Sequence, residues 1–235
     1  MTSNFEVPAG GAGERLIVAI DGPSGAGKGT IARAVAAHLG YRHVDTGAMY
    51  RAVAWKAVNE QLDLRDEAAI AALAQAVVID VSDGSVSVDG RDVRREIRTP
   101  EIDAAAAAVA RLPKVREVLI VQQRAIGAAG GVVMEGRDIG TVVFPAADVK
   151  VYLDASPEER ARRRAHDVTH AAGRGAAAVS EVASALAARD NSDRTRAASP
   201  LTEAADAMRI DTTGLPIDQV VDQVLSLVER RRSGS

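Results

Sequence analysis

The sequence contains no cysteine, so neither a disulfide framework nor a thiolate metal site can be built from it, and the chain suits a reducing compartment. Any metal is expected to be bound through oxygen. Aromatic residues make up only 3% of the chain, too few for the base-stacking platforms that hold single-stranded nucleic acid. A basic surplus is missing too. Lys and Arg number 29 against 32 Asp and Glu, a formal net charge of −3, whereas a protein that grips a polyanion carries excess positive charge. No apolar run approaches the ~20 residues of a membrane span, and the first residues lack the basic-then-apolar layout of a secretory signal. These absences lead us to expect a cytoplasmic enzyme with small-molecule substrates and neither nucleic-acid nor membrane partners; we also expect a monomer, although no feature of the sequence fixes that. At 235 residues the chain can form one compact body with small insertions.

What is present centres on Gly22-Pro23-Ser24-Gly25-Ala26-Gly27-Lys28-Gly29-Thr30. It lies between the apolar run Leu16 to Ile20 and an alanine-rich amphipathic segment starting at Ile31, the strand and helix that flank a phosphate-binding loop. Glycines let the backbone fold with its N–H groups inward, the following helix adds the partial positive charge of its N-terminus, and Lys28 supplies a full charge for outer phosphates. The general motif has Ser or Thr directly after the lysine. Here Gly29 stands there and Thr30 follows, so a metal-facing hydroxyl is displaced by one position.

In chain order, residues 1–13 are small, polar and without periodicity, and read as a flexible arm. Arg15 to Asp21 is a nearly continuous apolar run, as in a central parallel strand buried on both faces. The spacing predicts a helix from Lys28 to Leu39 capped by Gly40, a short strand Tyr41 to Asp45, an N-cap at Thr46 and a helix from Gly47 to Asn59. His38 and His43 read as isolated surface or edge histidines without a catalytic role.

The segment 62–103 breaks the alternation of strand and helix. Val77 to Ser82, Asp83-Gly84 and Ser85 to Asp89 form a hairpin pattern with a two-residue turn. Closing it on Ser82 and Ser85 pairs Val81 with Val86, Asp80 with Ser87 and Ile79 with Val88, which separates apolar from polar pairs. A turn at Asp89-Gly90 adds Arg91 to Val93 as a third strand. An antiparallel insert placed here lies over the strand ends where ligands bind, and is expected to act as a substrate clamp.

Beyond it, Ala104 to Ala108 favours helix, Pro113 opens another with Arg116 on it, and Val132 to Met134 and Val149 to Leu153 are buried strands. Glu135, at the carboxyl end of the first, is the candidate to hold magnesium through water, with Thr30. Ser156-Pro157-Glu158-Glu159 starts a helix that carries Arg160, Arg163 and Arg164, and the break at Gly173-Arg-Gly175 suggests a lid over 164–179 that lays arginines on a phosphate. Arg189 to Arg196 alternates sign too densely to be core. Met208 to Asp211 is the last strand and Pro216 to Arg230 a closing amphipathic helix. The expected fold is α/β: a parallel sheet flanked by helices, with its core over 14–61, 104–163 and 180–231.

The chain resembles the bacterial cytidylate kinases. The matching pieces are Ile20 to Thr30, Asp45 to Arg51, Glu96 to Thr99, Gly136 to Pro145, Leu153 to Arg160 and Arg189 to Arg196. The resemblance implies transfer of phosphate from ATP to CMP or dCMP with magnesium, on a P-loop fold with a nucleotide clamp and a short arginine lid. It implies that Gly22 to Thr30 hold the donor with Arg160, Arg163 and Arg164. Arg51, Arg137, Arg189, Arg196 and Thr46 would grip the acceptor phosphate, Arg116 and Asp138 would read the base, and Asp193 with Arg189 would touch the ribose. Lys28, Arg137, Asp138, Arg163 and Arg189 would be catalytic. In that family a hydroxyl commonly helps hold the base from the helix that here carries Ala104 to Ala108. A P-loop kinase for another small acceptor and a non-catalytic nucleotide-binding regulator are the alternative readings.

Overall fold

The computed structural model describes residues 15–82, 84–166 and 177–234. The expected arm at 1–13, Asp83 of the hairpin turn and the Gly173-Arg-Gly175 break fall outside them. The apolar run after Arg15 forms β1 (Ile17–Asp21), with Val18, Ala19 and Ile20 fully buried. It pairs in parallel with β6 (Val132–Gly136) on one side and β7 (Val149–Asp154) on the other. β2 (Arg42–Asp45) and β8 (Met208–Asp211) complete a five-stranded parallel sheet of order β2-β6-β1-β7-β8. Helices cover both faces, as parallel strands buried on both sides require. α1 (Lys28–Leu39) and α8 (Ile217–Arg232) pack Val35, Val224 and Val228 on one face. On the other, α2 (Thr46–Asn59), α4 (Pro100–Val109) and α5 (Pro113–Gly127) pack Met49, Val53, Ile102 and Leu119. Among the described residues no helix is long and apolar enough to cross a membrane.

Strand order runs outward in both directions from β1, so the loops after β1, β2, β6 and β8 meet at one edge, where α/β sheets bind ligands. The hairpin forms in the expected register: β3 (Ile79–Ser82) pairs with β4 (Ser85–Val88) as Val81↔Val86, Asp80↔Ser87 and Ile79↔Val88, and β5 (Arg91–Asp92) adds the third strand. The same segment also holds a helix that the pattern did not announce, α3 (Glu67–Ala76), capped by Asp66 accepting from the Ala69 N–H at 3.0 Å.

Three local expectations are corrected. The N-cap of α2 is Asp45, whose carboxylate accepts from the Ala48 N–H at 2.9 Å, and Thr46 is instead the first helical residue, its hydroxyl donating to the Glu135 carbonyl at 2.7 Å. His43 is buried, not at the surface, with Nε2 3.1 Å from Glu135 Oε1. The charged stretch near 189–196 belongs to α7 (Ala177–Thr195), and Asp190, Asp193 and Arg196 are buried. Each of the three has an ion-pair partner, Arg160 for Asp190, Arg137 for Asp193 and Asp138 for Arg196, which is the condition under which charge enters an interior.

Candidate active site

The phosphate loop owes its path to two glycines. At Gly22 (φ 148°) an added Cβ would lie 2.0 Å from the Leu153 carbonyl oxygen, and Gly27 (φ 90°) takes the left-handed conformation at the N-cap of α1. No side chain caps α1, so its first N–H groups remain for an anion. Lys28 is buried and donates from Nζ to the Pro23 carbonyl at 2.7 Å. Burial, and then the nearby Arg137, push its pKa down to about 7.

Beside the loop opens a cavity of about 780 Å³, within the range of ligand pockets. Ten arginines and Lys28 line it against five carboxylates, in a chain whose net charge is −3. A cleft of that charge draws polyanions. The structure brings into its lining Ser24 to Thr30, Thr46, Arg51, Arg116, Glu135, Arg137, Asp138, Arg163, Arg164, Arg189, Asp193 and Arg196. Gly22, Pro23 and Arg160 stand behind it. The Arg160 guanidinium is buried beneath the loop, bonded to the carbonyls of Ser24 (3.0 Å) and Ala155 (3.2 Å) and to Asp190. It braces the loop from below.

Within the lining, Arg116 and Asp138 form a buried ion pair, with Arg116 also donating to the Ala110 carbonyl at 3.3 Å and lying 5.3 Å from the centre of the Tyr50 ring. Of the alanine-rich α4 and its end, Ala110 is in the lining. Arg137 Nε donates to Asp193 at 2.9 Å and Arg51 to Asp45 at 2.9 Å. Although burial acts the other way, Arg51 and the Ala48 N–H hold the Asp45 pKa below its ordinary value. Burial lowers the pKa of Arg189 and of Arg196, and Arg137 and Arg116 respectively add like-charge repulsion. The buried donors Arg51 Nε, Arg116 Nε, Arg189 Nε and Arg196 Nη2 have no hydrogen-bond partner. An unpaired buried donor costs about 1–3 kcal/mol, and all four of these belong to arginines that line the cavity.

Several functional positions were not legible in the sequence. Asp21 accepts from the N–H groups of Ile139 (2.8 Å) and Gly140 (2.7 Å), which ties the turn carrying Arg137 and Asp138 to the end of β1; burial pushes its pKa up to about 6 against those two bonds. Thr212, Leu215, Pro216, Ile217 and Val220 form a largely apolar part of the lining, tied to the loop where the Thr212 hydroxyl donates to the Ala26 carbonyl at 3.3 Å, and Arg163 donates to the Thr212 hydroxyl at 2.8 Å and its carbonyl at 2.7 Å. Arg98 and Arg162 line the cavity as well.

A family model described as cytidylate kinase matches residues 18–230. Curated relatives similar to the chain include a cytidylate kinase of Solibacter usitatus, 45% identical over 93% of this chain and 94% of that one. Others are cytidylate kinases of Pelotomaculum thermopropionicum, 47% identical over 92% and 96%, and of Desulfitobacterium hafniense, 48% identical over 91% and 93%. A family model that spans most of the chain, and relatives this similar over nearly their whole length, leave one assignment: the chain belongs to the cytidylate kinase family.

Proposed function

We propose that the chain is a cytidylate kinase that transfers the γ-phosphate of ATP to CMP or dCMP in the presence of magnesium. The observation that carries this reading is a single cleft lined by the phosphate loop, the largely apolar wall from Leu215 to Val220, the buried Arg116–Asp138 pair and the guanidinium groups of Arg51, Arg137, Arg189 and Arg196. The wall from Leu215 to Val220 suits the flat face of the donor base. The loop N–H groups and Lys28 hold its phosphates, with Arg163 and Arg164 beside them. Arg51, Arg137, Arg189 and Arg196 take the acceptor phosphate. Thr46 joins them only by turning its hydroxyl away from the Glu135 carbonyl, and Asp193 reaches the ribose beside Arg189.

Magnesium suits the donor set, a buried Glu135 carboxylate and the Thr30 hydroxyl in a chain without thiolates, both hard oxygen donors. Among the described residues no group of three or more His, Cys, Asp and Glu gathers as a cage, in keeping with an ion held largely by phosphate and water. When bound, the ion neutralises charge on the outer phosphate oxygens. The protein's own contribution is positioning. The loop and the arginines hold the two phosphates in line, in a cleft whose fixed charges are arranged before substrate arrives.

Alanine at Arg51 or Arg196 is expected to raise the KM for CMP by about 10- to 100-fold, the worth of a charge-assisted bond, with the KM for ATP little changed. Alanine at Arg163 is expected to impair use of ATP instead. Steady-state kinetics with each substrate varied in turn checks the division, and small, equal effects on both would contradict it.

A further inference from the structure

We propose that His43 is a positioning residue that holds the Glu135 carboxylate in the space beside Gly29, so that this carboxylate, together with the Thr30 hydroxyl, faces the metal from the place where a hydroxyl directly after the lysine would stand; the inference rests on the kinase reading above. Phosphate loops carry Ser or Thr directly after the lysine, and here that residue is Gly29. A Cβ built on Gly29 would stand 3.1 Å from Glu135 Oε1 and 3.6 Å from Oε2. The carboxylate reaching over from β6 therefore occupies the position toward which a serine or threonine side chain would grow.

A glutamate has three rotatable side-chain bonds, and a metal ligand needs one orientation. Two contacts supply it. The Thr46 hydroxyl donates to the Glu135 backbone carbonyl at 2.7 Å, which ties the start of α2 to this strand position. His43 Nε2 lies 3.1 Å from Oε1, both side chains being buried. The strand register makes that contact: Asp45 is opposite Glu135 and His43 opposite Val133, so His43, two residues before Asp45, is the diagonal neighbour of Glu135 on the same face. Donation from Nε2–H commits Oε1 and leaves Oε2 for the cation. Residues that orient a metal ligand in this way are worth about 10- to 100-fold in metal affinity.

The test measures Mn2+ binding directly, by electron paramagnetic resonance, on the protein with a non-transferable ATP analogue. His43→Leu, which keeps bulk and removes the donor, is expected to weaken Mn2+ by about 10-fold or more, while the affinity for CMP without metal stays at the parent value. His43→Gln, whose amide can donate to the same oxygen, is expected to keep most of the Mn2+ affinity. If His43→Leu does not fold, His43→Asn, whose shorter amide cannot span the gap, takes its place. Mn2+ affinity within twofold of the parent in the donor-less variant would overturn the role of His43, and so would an equal loss of CMP affinity, which marks general damage. Phosphoryl transfer by the parent separates the two levels: an active parent with an unaffected variant removes only this inference, whereas a parent inactive on every nucleoside monophosphate removes the kinase reading and this inference with it.

Discussion

Replacing Lys28 by alanine is expected to lower phosphoryl transfer by about 10³-fold while leaving thermal stability unchanged or higher. Transfer of this kind depends on positioned charge, not covalent chemistry, and Lys28 is the full positive charge inside the loop. Its ammonium is buried, bonded to the Pro23 carbonyl, and forms no ion pair with the described residues, so removing it breaks no charge pairing in the fold. The sign of its pH dependence follows from burial, which lowers the pKa from 10.5 to about 7. The native state holds fewer protons than the unfolded one between those values, so the stability cost of Lys28 is full below pH 7 and fades as pH rises toward 10.5. Bound phosphates reverse the shift. At pH 8 the free lysine is mostly neutral and the complex charged, so nucleotide binding should take up nearly one proton. Calorimetry in buffers of different ionisation enthalpy reads that proton, and the Ala variant should lose it. Near-parent turnover by a stable Lys28→Ala protein would remove the loop from the role given to it.

Asp138→Asn is expected to narrow the preference for CMP over UMP by about 10- to 100-fold. Cytosine offers an amine that a carboxylate accepts, and ring acceptors that suit a guanidinium. Uracil presents its O4 to the Asp138 carboxylate and its N3–H to Arg116, acceptor against acceptor and donor against donor. Such mismatches leave buried groups unpaired and can discriminate by on the order of 10⁴-fold. With alanines along α4 in place of a hydroxyl, the parent should fall below that ratio. The pair is preorganised: one Asp138 oxygen accepts from Arg116, and the other lies 3.6 Å from Arg196 Nη2. The amide variant can turn its NH₂ toward O4. It also leaves two buried guanidinium groups short of charge, which costs stability, so the measurement is the CMP to UMP ratio of kcat/KM within one protein, where that loss cancels. An unchanged ratio would show that Asp138 does not read the base.

The local features were legible and the long-range ones were not. The span from β1 through the loop to α1 shows in the sequence because an apolar run, glycines and an amphipathic helix are neighbours in the chain. The β3–β4 register follows from alternation about one turn. Arg160 and Asp190 are 30 residues apart and Arg137 and Asp193 are 56 apart. Read singly, none of the four announces its partner; paired, they are a brace and a lining. His43 misled for the same reason, since its partner Glu135 lies 92 positions on and only the pairing of β2 with β6 brings them together. Asp21 looked like the end of a strand, and its task is set by N–H groups 118 and 119 residues away. The wall from Leu215 to Val220 was hidden because apolar residues at the start of a helix read as core.

The most direct test of the account is a coupled assay of the purified chain with ATP and magnesium, offered CMP, dCMP, UMP, AMP and GMP in turn. The account predicts rapid phosphorylation of CMP and dCMP and a far lower kcat/KM for the other three. Comparable use of UMP, or no turnover of any acceptor by a folded protein that binds ATP, would contradict it.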